Sequence, residues 1–311
     1  MNRPGQRLDH ESGLELVRST CVMCGQNGSR PLLRFRPPDL AGEFALDRCG
    51  HCGAAFVNPH PTRAQINRFF SDETIYLHTR DPEGRERSLA EERDRRRAEF
   101  AAYVRRIRKR VPAGRALDVG CGMGLFLEML GPDFDRTGIE INPFCARTIR
   151  RRFDFPVLEG DATEAEFAPG SFDLISIMQT LDHFEQPGVF LAKTRDWLRP
   201  GGILFLSSLI NIASPCARLF RECFRLLHPF HLVYFTPAVV RRTLARLGFR
   251  VLCLEYPYFR TPYFNRAELE ALIRKTARRL LARTAHPDRP VYSPPFIGNI
   301  MNVYAVREAG S

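Results

Sequence analysis

Three alternating glycines constrain this chain more than any other feature of its sequence. Gly120, Gly122 and Gly124 follow a short apolar segment at 116–119, and an apolar helix is predicted to begin directly after them. Because glycine has no Cβ, the backbone can turn sharply there and a ligand can approach it closely. A strand, a glycine-rich turn and a helix in this order predict a nucleotide-type site at the helix N-terminus of an α/β sheet.

The spacing of the glycines indicates which kind of cofactor binds. A dinucleotide fingerprint reads G-x-G-x-x-G, and its third glycine position is occupied here by Leu125. The pattern that begins at Asp118 is D-x-G-x-G-x-G, which fits a cofactor without a pyrophosphate. A glycine-rich loop alone is also compatible with a tight turn in any α/β protein, so the downstream segments decide between the two interpretations.

Four later segments add strand endings and turns in a defined order. They are a strand with a terminal carboxylate at 136–142, an acidic turn at 157–162, an apolar strand at 171–179 and a Pro-Gly-Gly turn into a strand at 198–205. Together with the glycine loop, these segments resemble the motifs of the class I S-adenosylmethionine-dependent methyltransferases. The resemblance implies an enzyme that uses S-adenosylmethionine.

The resemblance also implies which residues hold that cofactor. In the family, the glycine loop wraps the methionine half, with the acidic residue of the motif close to the amino group. The carboxylate at the second strand accepts hydrogen bonds from the ribose, and the one at the third strand accepts from the adenine amino group. The expected cofactor site comprises Asp118, Gly120, Cys121, Gly122, Gly124, Glu140, Ile141, Asp161, Ala162 and Gln179.

Two C-x-x-C pairs near the N-terminus predict a zinc site formed by Cys21, Cys24, Cys49 and Cys52. Two thiolates three positions apart can face one ion from a tight turn, and two such turns complete a tetrahedron. Four cysteines leave no open coordination position, so we expect structural zinc, with a redox-active dithiol or an iron centre as alternatives. The segment resembles the zinc-binding module of a group of bacterial methyltransferases that includes sugar C-methyltransferases.

The expected fold is therefore α/β: a doubly wound, Rossmann-like sheet of seven strands, six parallel and one antiparallel, preceded by an N-terminal zinc ribbon. We divide the chain into a ribbon module at 1–61, a helical connector at 62–110 with one long helix from Glu83 to Arg110, and a methyltransferase domain at 111–311. A lid insertion around 210–235 and a helical insertion around 260–290 are expected to shape the acceptor pocket, through Phe224 and Tyr258, or a dimer surface.

The residues that act on the methyl acceptor are less constrained by the sequence. Methyl transfer from a sulfonium mainly requires correct placement, and a general base is needed only when the acceptor loses a proton. His183 follows the fourth strand and is a candidate base, although it is equally suited to ordering its loop. His231 and Tyr234 follow the fifth strand and are candidates for substrate contact, with core packing as the alternative.

Charge and composition leave three functions open. The net charge of +11 comes almost entirely from arginine, which indicates either charged helix faces or attraction of an anionic or nucleic-acid substrate. The leading hypothesis is methyl transfer to oxygen or carbon of a sugar, glycolipid or secondary metabolite. The alternatives are an RNA methyltransferase and an inactive binding protein with the same fold. Nine cysteines without a disulfide pattern, a polar N-terminus and no membrane-length apolar run predict a cytoplasmic protein; the oligomeric state stays open.

Overall fold

A seven-stranded sheet forms the centre of the computed structural model, which describes residues 7–77, 88–259, 261, 264–281 and 290–309. Its strands are β7 (Gly114–Val119), β8 (Phe134–Glu140), β9 (Val157–Glu159), β10 (Phe172–Met178), β11 (Leu198–Ile210), β13 (Phe249–Glu255) and β14 (Ile300–Arg307). Their order is β13-β14-β11-β10-β7-β8-β9. The strands from β11 to β9 pair in parallel, whereas β14 is antiparallel to both of its neighbours. The mostly parallel, Rossmann-like sheet of seven strands is confirmed, with antiparallel pairing on both sides of β14.

Helices cover both faces of this sheet, as the nearly continuous apolar sequence of β10 and β11 requires. They are α4 (Leu125–Leu130), α5 (Pro143–Arg152), α6 (Pro187–Trp197) and α8 (Pro237–Arg246). Asn142 caps α5, and Thr236 caps α8 by accepting a hydrogen bond from the amide of Val239 at 3.2 Å. Threonine at the N-cap and Pro237 at the first helical position together define where α8 begins.

The N-terminal part of the chain forms two small antiparallel sheets. One contains β1 (Arg7–Asp9), β2 (Glu15–Val17) and β6 (His60–Pro61); the other contains β3 (Ser29–Phe35), β4 (Phe44–Cys49), β5 (Ala55–Val57) and β12 (Val233–Tyr234). β12 lies far along the sequence yet pairs with β5, with Val233 opposite Phe56. The segment after the fifth strand of the main sheet therefore completes the N-terminal sheet.

Three helices connect the ribbon to the main sheet: α1 (Arg63–Ser71), α2 (Thr74–Leu77) and α3 (Leu89–Arg108). Ser88 and Glu91 form a capping box at the start of α3, which fixes its first residue. Residues 83–87 of the long helix expected from the sequence lie outside the described residues. Two further helices are α7 (Pro215–Phe220) and α9 (Arg266–Leu281). Of the helices that the structure describes, none has the length and apolar character needed to cross a bilayer.

The ribbon and the main sheet share one hydrophobic core. Cys21, Met23 and Phe56 are buried in the same cluster as Phe190 of α6 and Val239 of α8. The guanidinium of Arg242 also donates to the carbonyl of Cys52 at 2.8 Å. Burial of apolar groups from both parts in one cluster means that the ribbon stabilises the methyltransferase sheet directly.

The contact between the two parts is closest at Gly188, where a Cβ would run into the carbonyl oxygen of Met23. By helix propensity alone, Gly188→Ala would stabilise α6 by about 1 kcal/mol. We expect the opposite sign, a loss of about 1–3 kcal/mol, because the backbone of Met23 cannot yield as a side chain would. Urea unfolding measures this, with Val189→Ala as the control because Val189 is exposed. An unchanged midpoint for Gly188→Ala would contradict the packing described here.

Candidate functional site

A cavity of about 850 Å³ lies at the carboxyl ends of β7, β8 and β10. This is the edge of an α/β sheet at which ligands bind, near the point where the strand order reverses. Nine of the ten residues expected to hold the cofactor are located at or beside this edge, and eight line the cavity: Gly120, Cys121, Gly122, Glu140, Ile141, Asp161, Ala162 and Gln179. Gly124 begins α4 just behind the loop, and Asp118 lies deeper.

The glycine loop has the backbone conformation that its sequence predicts. Gly120, Gly122 and Gly124 all have positive φ, at 69°, 53° and 77°. Gly120 has a second constraint, because a Cβ there would collide with the hydroxyl of Thr180. The loop therefore needs glycine both for its turn and for its close approach to the loop after β10.

Glu140 ends β8 and is tied to the glycine loop. One carboxylate oxygen accepts from the amide of Gly122 at 2.6 Å, and the other accepts from the amide of Asn142 at 2.9 Å. Burial raises the pKa of Glu140 despite these amide hydrogen bonds. Each carboxylate oxygen has two lone pairs, so Glu140 keeps acceptor capacity toward the cavity.

Asp118 lies behind the loop and is completely buried. One oxygen accepts from the hydroxyl of Ser176 at 2.7 Å, whereas the other has no hydrogen-bond partner among the described residues. Burial raises the pKa of Asp118 to about 7; the Ser176 hydroxyl lowers it, and the nearby charge of Glu140 raises it further. A cationic ligand group close by would stabilise the charged form.

Asp161 is already saturated with donors. Thr163 donates to one carboxylate oxygen through its amide at 2.8 Å and its hydroxyl at 2.7 Å, and Arg63 and Asn67 donate to the other at 2.9 Å each. Burial alone would raise the pKa of Asp161, but these hydrogen bonds outweigh it and lower the pKa. The expected contact between Asp161 and the adenine amino group thus requires displacement of a donor from α1.

The connector supplies the opposite wall of the cavity, which sequence reasoning did not assign to the site. Arg93, Arg96, Arg97 and Phe100 of α3 line it, together with Asn67 and Phe70 of α1. Arg93 and Arg97 both pair with Glu128 of α4, and Arg96 donates to the side chain of Gln179 at 2.9 Å. The spacing i, i+3, i+4, i+7 places the four α3 residues on one helical face, for which the sequence left open a charged solvated face or attraction of an anionic substrate.

His183 follows β10 and lines the same cavity as Glu140. Its Nδ1 lies 2.8 Å from the carbonyl oxygen of Phe230, and its ring packs 4.3 Å from that of Phe70. A carbonyl oxygen only accepts hydrogen bonds, so Nδ1 is the protonated nitrogen and Nε2 keeps its lone pair. His183 thus orders its loop through this contact, while its role as a base stays a prediction.

His231 lies behind His183, with ring centroids 5.3 Å apart, and is not part of the cavity wall. Its Nδ1 is 2.9 Å from the carbonyl oxygen of Leu226, and its Nε2 is 4.0 Å from Asp182. Burial lowers the pKa of His231 to about 4, although the charge of Asp182 acts in the opposite direction. Direct contact between His231 and substrate is therefore not supported.

The structure contradicts the prediction that Tyr234 contacts substrate. Tyr234 is fully buried, and its hydroxyl accepts from the amide of His228 at 2.9 Å and lies 3.1 Å from the His228 carbonyl oxygen. Burial raises the pKa of this phenol well above its usual range. Tyr234 therefore holds the preceding loop in place, because its ring is packed in the core and its hydroxyl contacts the backbone of His228.

The expected lid is also wrong. Phe220 and Phe224 are buried in one cluster with Phe35 and Leu46 of the N-terminal sheet, so the segment at 210–235 packs against the ribbon and not over the cavity. Its apolar residues are covered by other apolar residues, which is the more favourable arrangement. Tyr258 is likewise buried and packs on Phe296, outside the cavity. Tyr263 and the end of the helical insertion lie outside the described residues.

The four predicted zinc ligands come together at the base of the ribbon. Their sulfur atoms all lie within 4.8 Å of one another, and the pairs Cys21–Cys52 and Cys24–Cys49 are each 3.6 Å apart. A tetrahedral zinc site with Zn–S bonds of about 2.3 Å has sulfur atoms about 3.8 Å apart. The cluster fits zinc, and burial of three of the four cysteines favours a structural ion.

Comparison with known proteins agrees with this geometry. Residues 90–254, just over half of the chain, match a family model described as a methyltransferase domain. This chain belongs to that family of methyltransferases. The match covers the glycine loop, Glu140, Asp161 and His183, and it includes α3 of the connector.

Curated relatives match over a shorter region. A ubiquinone biosynthesis O-methyltransferase of Xanthomonas campestris is 35% identical over 107 residues, which is 32% of this chain and 44% of the relative. The mitochondrial ubiquinone biosynthesis O-methyltransferase of Schizosaccharomyces pombe is 29% identical over 121 residues, 36% of this chain and 44% of the relative. The chain thus matches less than half the length of these relatives.

A solved structure shares the fold. It is a complex between the Haloferax volcanii Trm112 methyltransferase activator and a methyltransferase, with a TM-score of 0.51 and 16% sequence identity. The match covers 69% of this chain and 91% of the solved chain. At this identity the likeness establishes the fold alone.

The raised pKa of Asp118 predicts a specific pH dependence of stability. Between the unfolded value of about 3.9 and the folded value of about 7, the native state binds more protons, so the free energy of unfolding falls as pH rises. We expect Asp118→Asn to be more stable than the wild type above pH 7, by at most about 4 kcal/mol, with the difference vanishing near pH 4. Urea unfolding across this pH range measures the effect.

Asp173→Asn is the control, and we expect it to change the free energy of unfolding in the opposite direction. Burial would raise the pKa of Asp173, but hydrogen bonds from the Arg115 amide and Arg199 lower it overall. Its charged form stabilises the fold above the unfolded pKa, so this variant should lose stability at neutral pH. A loss of stability for Asp118→Asn at pH 8 would contradict the burial of an unpaired carboxylate.

Proposed function

We propose that this protein is an S-adenosylmethionine-dependent O-methyltransferase that acts on a small hydroxyl-bearing biosynthetic intermediate. The observation that carries the proposal is one cavity whose wall includes the glycine loop, Glu140 and His183. S-adenosylmethionine supplies the electrophilic methyl group when bound. The similarity to ubiquinone biosynthesis O-methyltransferases favours oxygen as the acceptor atom over carbon.

The residues of the cavity suit the parts of the cofactor. The amides and open backbone of the glycine loop fit the methionine half, and the buried oxygen of Asp118 that lacks a donor suits a cationic amino group nearby. The remaining lone pairs of Glu140 fit the ribose hydroxyls. Ala162 and Ile141 offer apolar contact beside the adenine, and Asp161 reaches it once α1 yields a donor.

The acceptor is proposed to lie between α3 and His183. Phe70, Phe100 and Phe184 give this part of the cavity aromatic surface beside the arginines of α3, which suits an aromatic acceptor that also carries polar groups. His183 is the residue in this region that can act on the acceptor oxygen, because its Nε2 is free of hydrogen bonds to the backbone. Methyl transfer then forms a carbon–oxygen bond, breaks the carbon–sulfur bond with its electron pair left on sulfur, and releases the hydroxyl proton.

We further propose that the four cysteines bind one structural zinc ion. The ion would stabilise a ribbon whose strands β3 to β5 are short, and the shared core would pass that stability to the main sheet. Because the site has four thiolate ligands, the zinc would have no position for a substrate.

The cofactor proposal is tested by calorimetric titration of S-adenosylmethionine and its demethylated product. We expect the wild type to bind both, and Glu140→Ala to bind both roughly 100-fold more weakly because hydrogen bonds to a charged group are lost. Glu159→Ala is the matched control, since Glu159 ends the neighbouring strand but is exposed and pairs with Arg150. Absence of binding by the folded wild type would overturn the enzyme proposal.

The zinc proposal is tested by Cys49→Ser. We expect this variant to lose the ribbon zinc and to melt at a lower temperature, because the ribbon loses its cross-link and the shared core loosens. Metal analysis and thermal unfolding provide the two readouts, with Cys253→Ser as the control outside the cluster. Retention of the ion together with full stability would show that the cysteines hold no structural metal.

A further inference from the structure

Two histidines and an aspartate converge behind the acceptor end of the cavity. One ligand-capable atom from each of Asp182, His183 and His231 lies within 4.8 Å of the other two. Nε2 of His231 is 4.0 Å from a carboxylate oxygen of Asp182. The three residues come from two separate loops, one after β10 and one before β12, so tertiary structure alone brings them together.

Both imidazole rings are oriented in the same way. Nδ1 of His183 lies 2.8 Å from the carbonyl oxygen of Phe230, and Nδ1 of His231 lies 2.9 Å from that of Leu226. Each carbonyl can only accept, so both rings carry their proton on Nδ1 and keep a lone pair on Nε2. A histidine that donates its other N–H to a backbone carbonyl is the usual arrangement of a metal ligand, because the hydrogen bond fixes tautomer and direction.

Asp182 supplies a negative charge without a hydrogen-bond donor. Its side chain is 5% exposed, and no hydrogen bond to its carboxylate is found in the described part of the chain. A buried carboxylate without donors is unfavourable, and the lone pair on Nε2 of His231, 4.0 Å away, cannot donate to it. Two acceptors that face each other at 4.0 Å leave space for a cation.

We propose that Asp182, His183 and His231 bind a second divalent transition-metal ion of the zinc class, and that this ion activates the acceptor. Bonds of about 2.0–2.2 Å place tetrahedral ligand atoms about 3.3 Å apart, so side-chain rotation must close the observed spacing by roughly 1 Å. Three protein ligands leave an open position, which distinguishes this site from the closed cysteine cluster. The acceptor oxygen would bind there, since His183 also lines the cavity.

This inference rests on the proposed O-methyl transfer, for which it names the activating group. With the acceptor hydroxyl at its open position, the ion would lower the pKa of that hydroxyl, whose proton leaves to solvent before the oxygen attacks the methyl carbon. His183 would then act as a ligand and not as the base itself. His231 does not line the cavity. It would take part in the reaction only as a ligand of the ion, on the side away from the cavity.

Counting zinc per chain in the full-length protein tests the site without any assay of activity. We expect two equivalents in the wild type and one in His231→Gln and in Asp182→Asn, with the cysteine ion retained. Exchange of zinc for Co²⁺ separates the sites, because the cysteine cluster alone gives sulfur-to-cobalt charge-transfer absorption. The variants should keep this absorption and lose the other cobalt equivalent. His51→Gln, at an exposed histidine of the ribbon, should keep both ions.

The outcomes distinguish the two proposals. One equivalent in the zinc-saturated wild type, or two equivalents in both variants, would overturn the second metal site whatever the enzyme does. Binding of S-adenosylmethionine by each variant confirms that it is folded, and the wild-type count is decisive even where a variant fails this check. Two equivalents in a protein that transfers no methyl group to any hydroxyl acceptor would support the site and overturn the O-methyltransferase proposal.

Discussion

Two backbone hydrogen bonds of Leu232 join the ribbon to the loop after β10 that carries Asp182 and His183. Its carbonyl oxygen accepts from the amide of Val57 in the ribbon at 2.9 Å, and its amide donates to the carbonyl oxygen of Asp182 at 2.7 Å. The adjoining β12 pairs with β5, and the loop before it holds His183 through the Phe230 carbonyl oxygen. The segment before β12 therefore links the ribbon to the loop that carries His183, so the stability of the ribbon and the geometry of that loop depend on each other.

Two carboxylates, one in the cavity wall and one behind the glycine loop, lie in an environment that disfavours their charge. Asp118 and Glu140 are both buried, and burial raises the pKa of each. Glu140 is compensated by two backbone amides, whereas one oxygen of Asp118 has no partner among the residues that the structure describes. A site of this kind lowers the stability of the protein alone and favours a ligand that brings hydroxyl donors and a positive charge. The buried carboxylates that destabilise the free protein are thus the same groups that would favour binding of the proposed cofactor.

Much of the cofactor end could be predicted from sequence, because its requirements are local. The positive φ of Gly120, the carboxylate that ends β8 and the cap of α8 each depend on a few neighbouring residues. The acceptor end could not be predicted in this way. Phe224 and Tyr234 follow the fifth strand, where substrate contacts are common, yet both are buried against the ribbon side of the molecule. The charge of Arg93 and Arg96 fitted either a solvated helix face or an anionic substrate, and only the position of α3 shows that they line the cavity.

The sequence by itself determined the fold class, the cofactor loop and the four cysteines that converge, since glycine turns, strand endings and C-x-x-C spacing act over short distances along the chain. The tertiary structure alone decided which surface covers the cavity and which polar groups meet there. Asp182 and His231 lie 49 positions apart in the sequence and meet only because β12 pairs with the ribbon. The physical reason is that apolar segments of similar composition can be buried against several partners, and only the complete set of packing and backbone hydrogen bonds selects one.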